Sequence, residues 1–150
     1  MTIRIILIMI GCSSFMNLNG QNLKKHKWRN RVLIVKTSDI KSKKYQEQLN
    51  EFKNSIEELI DRKFILYQIT GDDFVLLDYK NNELNNSGKI SRKLTDTILN
   101  EKENFEVILI GLDGGIKLQQ TEILMKEDLF NITDSMTMRR NELIRNKIKN

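Results

Sequence analysis

Two apolar runs constrain this chain more than any other feature. Arg31 to Lys36 reads Arg-Val-Leu-Ile-Val-Lys, and Phe105 to Gly111 is the most apolar segment of the body. Short runs of this kind, rich in β-branched residues, read as buried strands. A sheet built on them needs a helical layer on each side. The segments between them supply those layers. Tyr45, Leu49, Phe52, Ile56, Leu59 and Ile60 fall on one face of a helix predicted from about Lys41 to Arg62. Phe64 to Thr70 and Phe74 to Tyr79 are further strands around the turn Gly71-Asp72-Asp73, as a hairpin or separately. Lys80 to Gly88 reads as a polar loop, and Ile90, Leu94 and Ile98 mark a shorter helix ending near Asn100. Asp113-Gly114-Gly115 is a strong turn signal, after which Ile116 to Gln119 returns as a strand. Glu122 to Phe130 is weakly helical. A last helix runs to about Lys147, capped by Asp134 or Ser135. The order β-α-β-β-α-β-β-α predicts a mixed central sheet with helices on both faces.

The chain has 150 residues, one domain by size. Residues 1–20 read as a signal peptide: Arg4 gives a positive start, Ile5 to Ile10 an apolar run, and Leu18-Asn19-Gly20 a small residue before Gln21. The apolar stretch is too short to span a bilayer, which needs about 20 apolar residues. Residues 21–150 are then a single domain without a transmembrane segment, periplasmic or secreted. The alternative is a lipoprotein signal in which Gly11-Cys12 makes Cys12 the acylated residue. Cys12 is the chain's single cysteine, so either route leaves no thiol pair for redox chemistry.

Twenty-five Lys and Arg stand against 20 Asp and Glu, a formal +5. Charges of both signs are interspersed, and a nucleic-acid partner is not expected. The dense basic runs are Lys24 to Arg31, around Trp28, and Arg139 to Lys149. The first can touch phosphates or an anionic membrane, and a solvated lead-in to the first strand is the plainer reading. With His26 as the one histidine, no zinc site is expected, and Asp72, Asp73 and Asp78 lack the spacing of a calcium loop.

Three segments together carry a resemblance. Trp28-Arg29-Asn30-Arg31 precedes the first strand. Gly111-Leu112-Asp113-Gly114-Gly115-Ile116-Lys117 follows the central strand. Asp134-Ser135-Met136-Thr137-Met138-Arg139-Arg140-Asn141-Glu142 opens the last helix. Over about Lys27 to Arg145 the chain resembles the domain of unknown function 4174 family. That family is held to be peroxiredoxin-like and thioredoxin-folded, with exported bacterial proteins and animal extracellular-matrix proteins among its members. The resemblance implies a thioredoxin-like three-layer sandwich. It also implies a working position just after the first strand, where such enzymes keep their redox cysteines. Here that stretch, Thr37 to Lys41, holds Ser38 and Asp39 and no cysteine. The chain departs from the family pattern at Leu112, where lysine is usual, and at Thr137, where proline is usual. Thr137 can still cap the last helix through its hydroxyl.

The candidate binding residues are Asp113, Lys117, Arg139, Arg140 and Glu142; no catalytic residue is assigned. Two adjacent guanidiniums project about 100° apart on a helix. One of them is expected to pair with Glu142, Asp113 or Asp134, as a lock on the last helix or as a fork for an anion. Met136 and Met138 read as core fillers, and Trp28 as an anchor against the sheet edge. The function that follows is an exported, non-catalytic binding or structural module of the cell envelope. Its partner would be a protein or glycan, and it would need no cofactor. The alternative is an enzyme with a cysteine-independent polar site near Asp113, Arg139 and Glu142.

Overall fold

The computed structural model describes residues 23–150. The signal-peptide and Cys12 readings fall outside the described residues. The strands are β1 (Arg31–Thr37), β2 (Phe64–Thr70), β3 (Asp73–Asp78), β4 (Asn86–Lys89), β5 (Phe105–Ile110) and β6 (Ile116–Gln120). They form one six-stranded sheet in the order β4-β3-β2-β1-β5-β6. β1 and β2 run parallel, and every other neighbouring pair is antiparallel. The helices are α1 (Lys43–Lys53), α2 (Ile56–Asp61), α3 (Arg92–Thr97), α4 (Lys126–Ser135) and α5 (Thr137–Lys149).

Strand periodicity sorts the core into two halves. Leu33, Val35, Leu66, Val107 and Leu109 face α1, α2 and α4 through Tyr45, Phe52, Leu59 and Leu129. Val32, Ile34, Ile65, Tyr67 and Ile108 face the other way, toward α3 through Leu94 and toward a short 3-10 turn at Leu23–His26. The two apolar runs are the neighbouring interior strands β1 and β5, buried on both faces as their composition requires. The βαβ unit β1-α1/α2-β2 and the β5-β6 hairpin with its following helices form the thioredoxin-like three-layer sandwich. β3 and β4 extend the sheet beyond β2.

Several elements depart from the sequence reading. The predicted helix over 41–62 is two helices. Ser55, itself buried, turns its hydroxyl back onto the Glu51 carbonyl at 3.2 Å, and its backbone leaves the helical region at φ −135. The break resets the phase, so Leu59 is fully buried while Ile56 is exposed. The polar loop over 80–88 contains a short 3-10 turn and the edge strand β4, whose residues are all exposed. A strand with no buried face leaves no apolar alternation to read. Asp134 and Ser135 belong to the last turn of α4 and do not cap α5. That role falls to Met136, whose side chain makes no capping hydrogen bond, and Thr137 is already the first helical residue. Met136 packs against the core as expected. Trp28 does not anchor the sheet edge: the residue is 60 % exposed. The segment is held instead by His26, which is buried with Nε2 2.7 Å from the Tyr67 hydroxyl.

Candidate functional site

The end of the sheet where β1 begins collects most of the buried charge. Arg31, the first residue of β1, is fully buried. Its Nη1 donates to the Arg62 carbonyl at 2.8 Å and to Glu142 at 3.3 Å. Glu142 is also 3.2 Å from Lys63 Nζ. Arg62 grips Asp134 with two parallel bonds of 3.0 and 2.8 Å and lies over the Phe130 ring. Arg139, only 2 % exposed, donates to Asp134 at 3.2 Å, to Glu142 at 3.4 Å, to the Asp61 carbonyl at 3.0 Å and to the Asp61 carboxylate. Four cations (Arg31, Arg62, Lys63, Arg139) meet three carboxylates (Asp61, Asp134, Glu142). The network ties α2, the starts of β1 and β2, the end of α4 and the first turns of α5 into one corner.

The titration of these groups follows from their neighbours. Burial alone would raise the carboxyl of Asp134, but Arg62 and Arg139 outweigh it and hold it below its ordinary range. Glu142 is depressed the same way, with Arg31 and Lys63 overcoming its burial. Burial lowers the Arg31 guanidinium, partly offset by Glu142. Arg139 moves the other way, because Asp61 and Asp134 more than compensate for its desolvation.

The glycine turn after β5 is a separate unit. Gly114 has φ +81, which glycine adopts without strain. Asp113 Oδ1 accepts from the Gly115 N–H at 2.9 Å, and Oδ2 accepts from Lys117 Nζ at 2.8 Å. The Lys117 bond comes first among the causes that hold Asp113 below its ordinary pKa, followed by the Gly115 N–H. Among the described residues no hydrogen bond or ion pair joins Asp113 to Arg139 or Glu142. Of the predicted site residues, Arg139 and Glu142 are brought together, Asp113 and Lys117 pair with each other, and Arg140 faces solvent. With the network and the turn in place, the three segments that suggested a family relationship prove to be joined by two structural contacts. Trp28 N–H donates to the Leu112 carbonyl at 2.7 Å, and Arg31 meets Glu142. The family "Domain of unknown function (DUF4174)" matches residues 22–142.

The chain belongs to the DUF4174 family.

No curated protein matches the chain. In this DUF4174 domain a depression of about 470 Å³ opens at the carboxyl end of β1, the working position of the thioredoxin-like scaffold. Thr37, Ser38, Asp39, Ser42, Lys44 and Asn104 are among its lining residues. Thr37, Asp39 and Ser42 turn their side chains onto nearby backbone. Thr37 Oγ1 donates to the Asp39 carbonyl at 2.9 Å and accepts from the Asp39 N–H at 3.1 Å. Asp39 Oδ1 accepts from the Lys41 N–H at 2.9 Å, and Ser42 caps α1 by accepting from Tyr45 N–H at 3.2 Å. No described residue is a cysteine. Among the described residues no three His, Cys, Asp or Glu side chains sit close enough to share a metal ion. No described helix is long and apolar enough to cross a membrane.

Sequence reasoning missed Arg31, Asp61, Arg62 and Lys63 as members of the network. The Asp61-Arg62-Lys63 cluster directly before β2 was the available signal. Gln48 was also missed. It is fully buried, and its amide pairs with both backbone groups of Leu124 at 2.9 and 2.6 Å, as another strand would.

Proposed function

We propose that this protein is an exported, non-catalytic binding or structural module of the cell envelope, with a protein or glycan as its partner. The observation that carries the reading is the β1 end. A thioredoxin-like scaffold keeps its reactive thiol there, and here a Thr-Ser-Asp turn closes on itself. What remains is a shallow, polar depression able to receive an exposed group on another molecule. The alternative of a polar catalytic site near Asp113, Arg139 and Glu142 has less support. Each nitrogen of Arg139 already donates within the protein, Glu142 is shared by three cations, and Asp113 is engaged by Lys117.

The test has two arms. Affinity capture from envelope extracts, with a Ser38→Trp variant to block the depression, should recover a partner that the variant loses. The purified chain should be inactive in disulfide-reduction and peroxide-reduction assays. Turnover that survives Cys12→Ser would overturn the non-catalytic reading. Capture unaffected by Ser38→Trp would remove the β1 end as the binding face.

A further inference from the structure

The turn before β1 spends structure on exposing an aromatic ring. Trp28 adopts φ 68, a left-handed conformation that bulky side chains rarely take. Such backbone outliers persist where the surroundings over-determine them, and they gather at functional positions. Here the surroundings do so. Trp28 N–H donates to the Leu112 carbonyl, Arg29 and Asn30 N–H both donate to the His26 carbonyl at 2.9 and 2.8 Å, and His26 is pinned to Tyr67. The Lys27 side chain lies across Gly114, and its ammonium sits 5.3 Å from the indole centroid. The result is a rigid mount for a residue that is 60 % exposed. An indole this open is not enclosed by a groove.

The charged residues within this turn are of one sign. Lys24, Lys25, Lys27 and Arg29 are exposed, and no acidic residue lies between Leu23 and Asn30. His26 adds nothing to this charge at neutral pH. Burial and the nearby Lys25 and Arg29 lower its pKa to about 4. A tryptophan held at a surface among lysines and arginines matches the water–lipid boundary, where the indole sits at headgroup level and the cations meet lipid phosphates.

We propose that the turn at Lys24–Arg29 docks the protein on an anionic lipid surface, with Trp28 at the headgroups and Lys27 and Arg29 over the phosphates. This goes beyond the envelope-module reading and does not rest on the depression at β1.

Trp28 is the chain's one tryptophan, so intrinsic fluorescence reports this residue alone. The full chain is titrated with vesicles of phosphatidylglycerol and phosphatidylcholine, and with phosphatidylcholine alone. Only the anionic vesicles should move the emission to shorter wavelength, and added salt should reverse the shift. Arg29→Glu replaces one attraction with one repulsion and should weaken binding roughly thirtyfold at low salt. Trp28→Ala, followed by co-sedimentation, should weaken it with an unchanged melt. Four results would overturn the proposal. They are an emission unmoved by anionic vesicles, an equal shift on neutral vesicles, binding that Arg29→Glu leaves intact, and a response to a soluble sulfated polysaccharide but not to vesicles. The apolar residues 5–10 are present in every variant. Adsorption through them would therefore appear as the third result.

Discussion

Arg139 and Arg140 are neighbours in sequence and differ completely in environment. One is enclosed by Asp61, Asp134 and Glu142; the other faces solvent. Removing one partner of a buried pair leaves the others uncompensated, at a cost of about 3–5 kcal/mol. Arg139→Ala should therefore lower the melting temperature by roughly 6–12 °C, whereas Arg140→Ala should leave it within a degree or two. Arg139→Lys should recover little, because an ammonium cannot reach the same fork of acceptors. His26 gives a second residue-level prediction. Its pKa falls from 6.5 to about 4 on folding, so between those values the unfolded chain binds more protons. Stability should drop as pH falls through that window, by about 2 kcal/mol after allowing for solvent screening. Urea unfolding of His26→Gln should lack this slope. At this scale the sequence was informative about type and poor about partners. Pairing of an arginine with Glu142 was readable from helical spacing, and Asp134 and Asp113 were alternatives of which the structure joins only Asp134 to Arg139. Asp61 and Arg31 were not readable, because only tertiary folding brings them to α5.

The elements were legible in proportion to how much of each is buried. β1 and β5 were clear because both faces are covered. β4 was invisible because neither is, and the α1–α2 break was hidden because the apolar spacing continues across Ser55. Gln48 shows how a buried polar side chain can join elements. It ties α1 to the segment before α4 by acting as a backbone substitute. Gln48→Leu would leave the Leu124 N–H and carbonyl unpaired, and chemical denaturation should record a loss of roughly 2–4 kcal/mol. The last turns of α5 are the opposite case. Leu143 to Asn150 are all exposed, with Ile144 56 % and Ile148 78 % open. Deleting residues 146–150 should change stability by no more than about 0.5 kcal/mol, measured in the same denaturation series.

For the molecule as a whole, the mixed sheet with helices on both faces followed from element order and its thioredoxin-like form from the family resemblance, whereas the charged corner followed from neither. That corner should govern acid stability. Asp134 and Glu142 both titrate below their ordinary values when folded. Their contribution is complete above the unfolded carboxylate range, near pH 4, and is lost as pH falls through the lower folded values. Arg139→Ala should shallow this acid limb in a pH series. The position of β1 has a consequence for how the chain is made. β1 is the first of the described strands to be synthesised, yet it lies inside the sheet, and Val32 must wait for Ile110 before its second flank is paired. A nascent chain therefore holds an unfinished ladder until most of the polypeptide has emerged. Long-range closure of this kind delays folding, so β1 gains its second neighbour only after β5 has been synthesised.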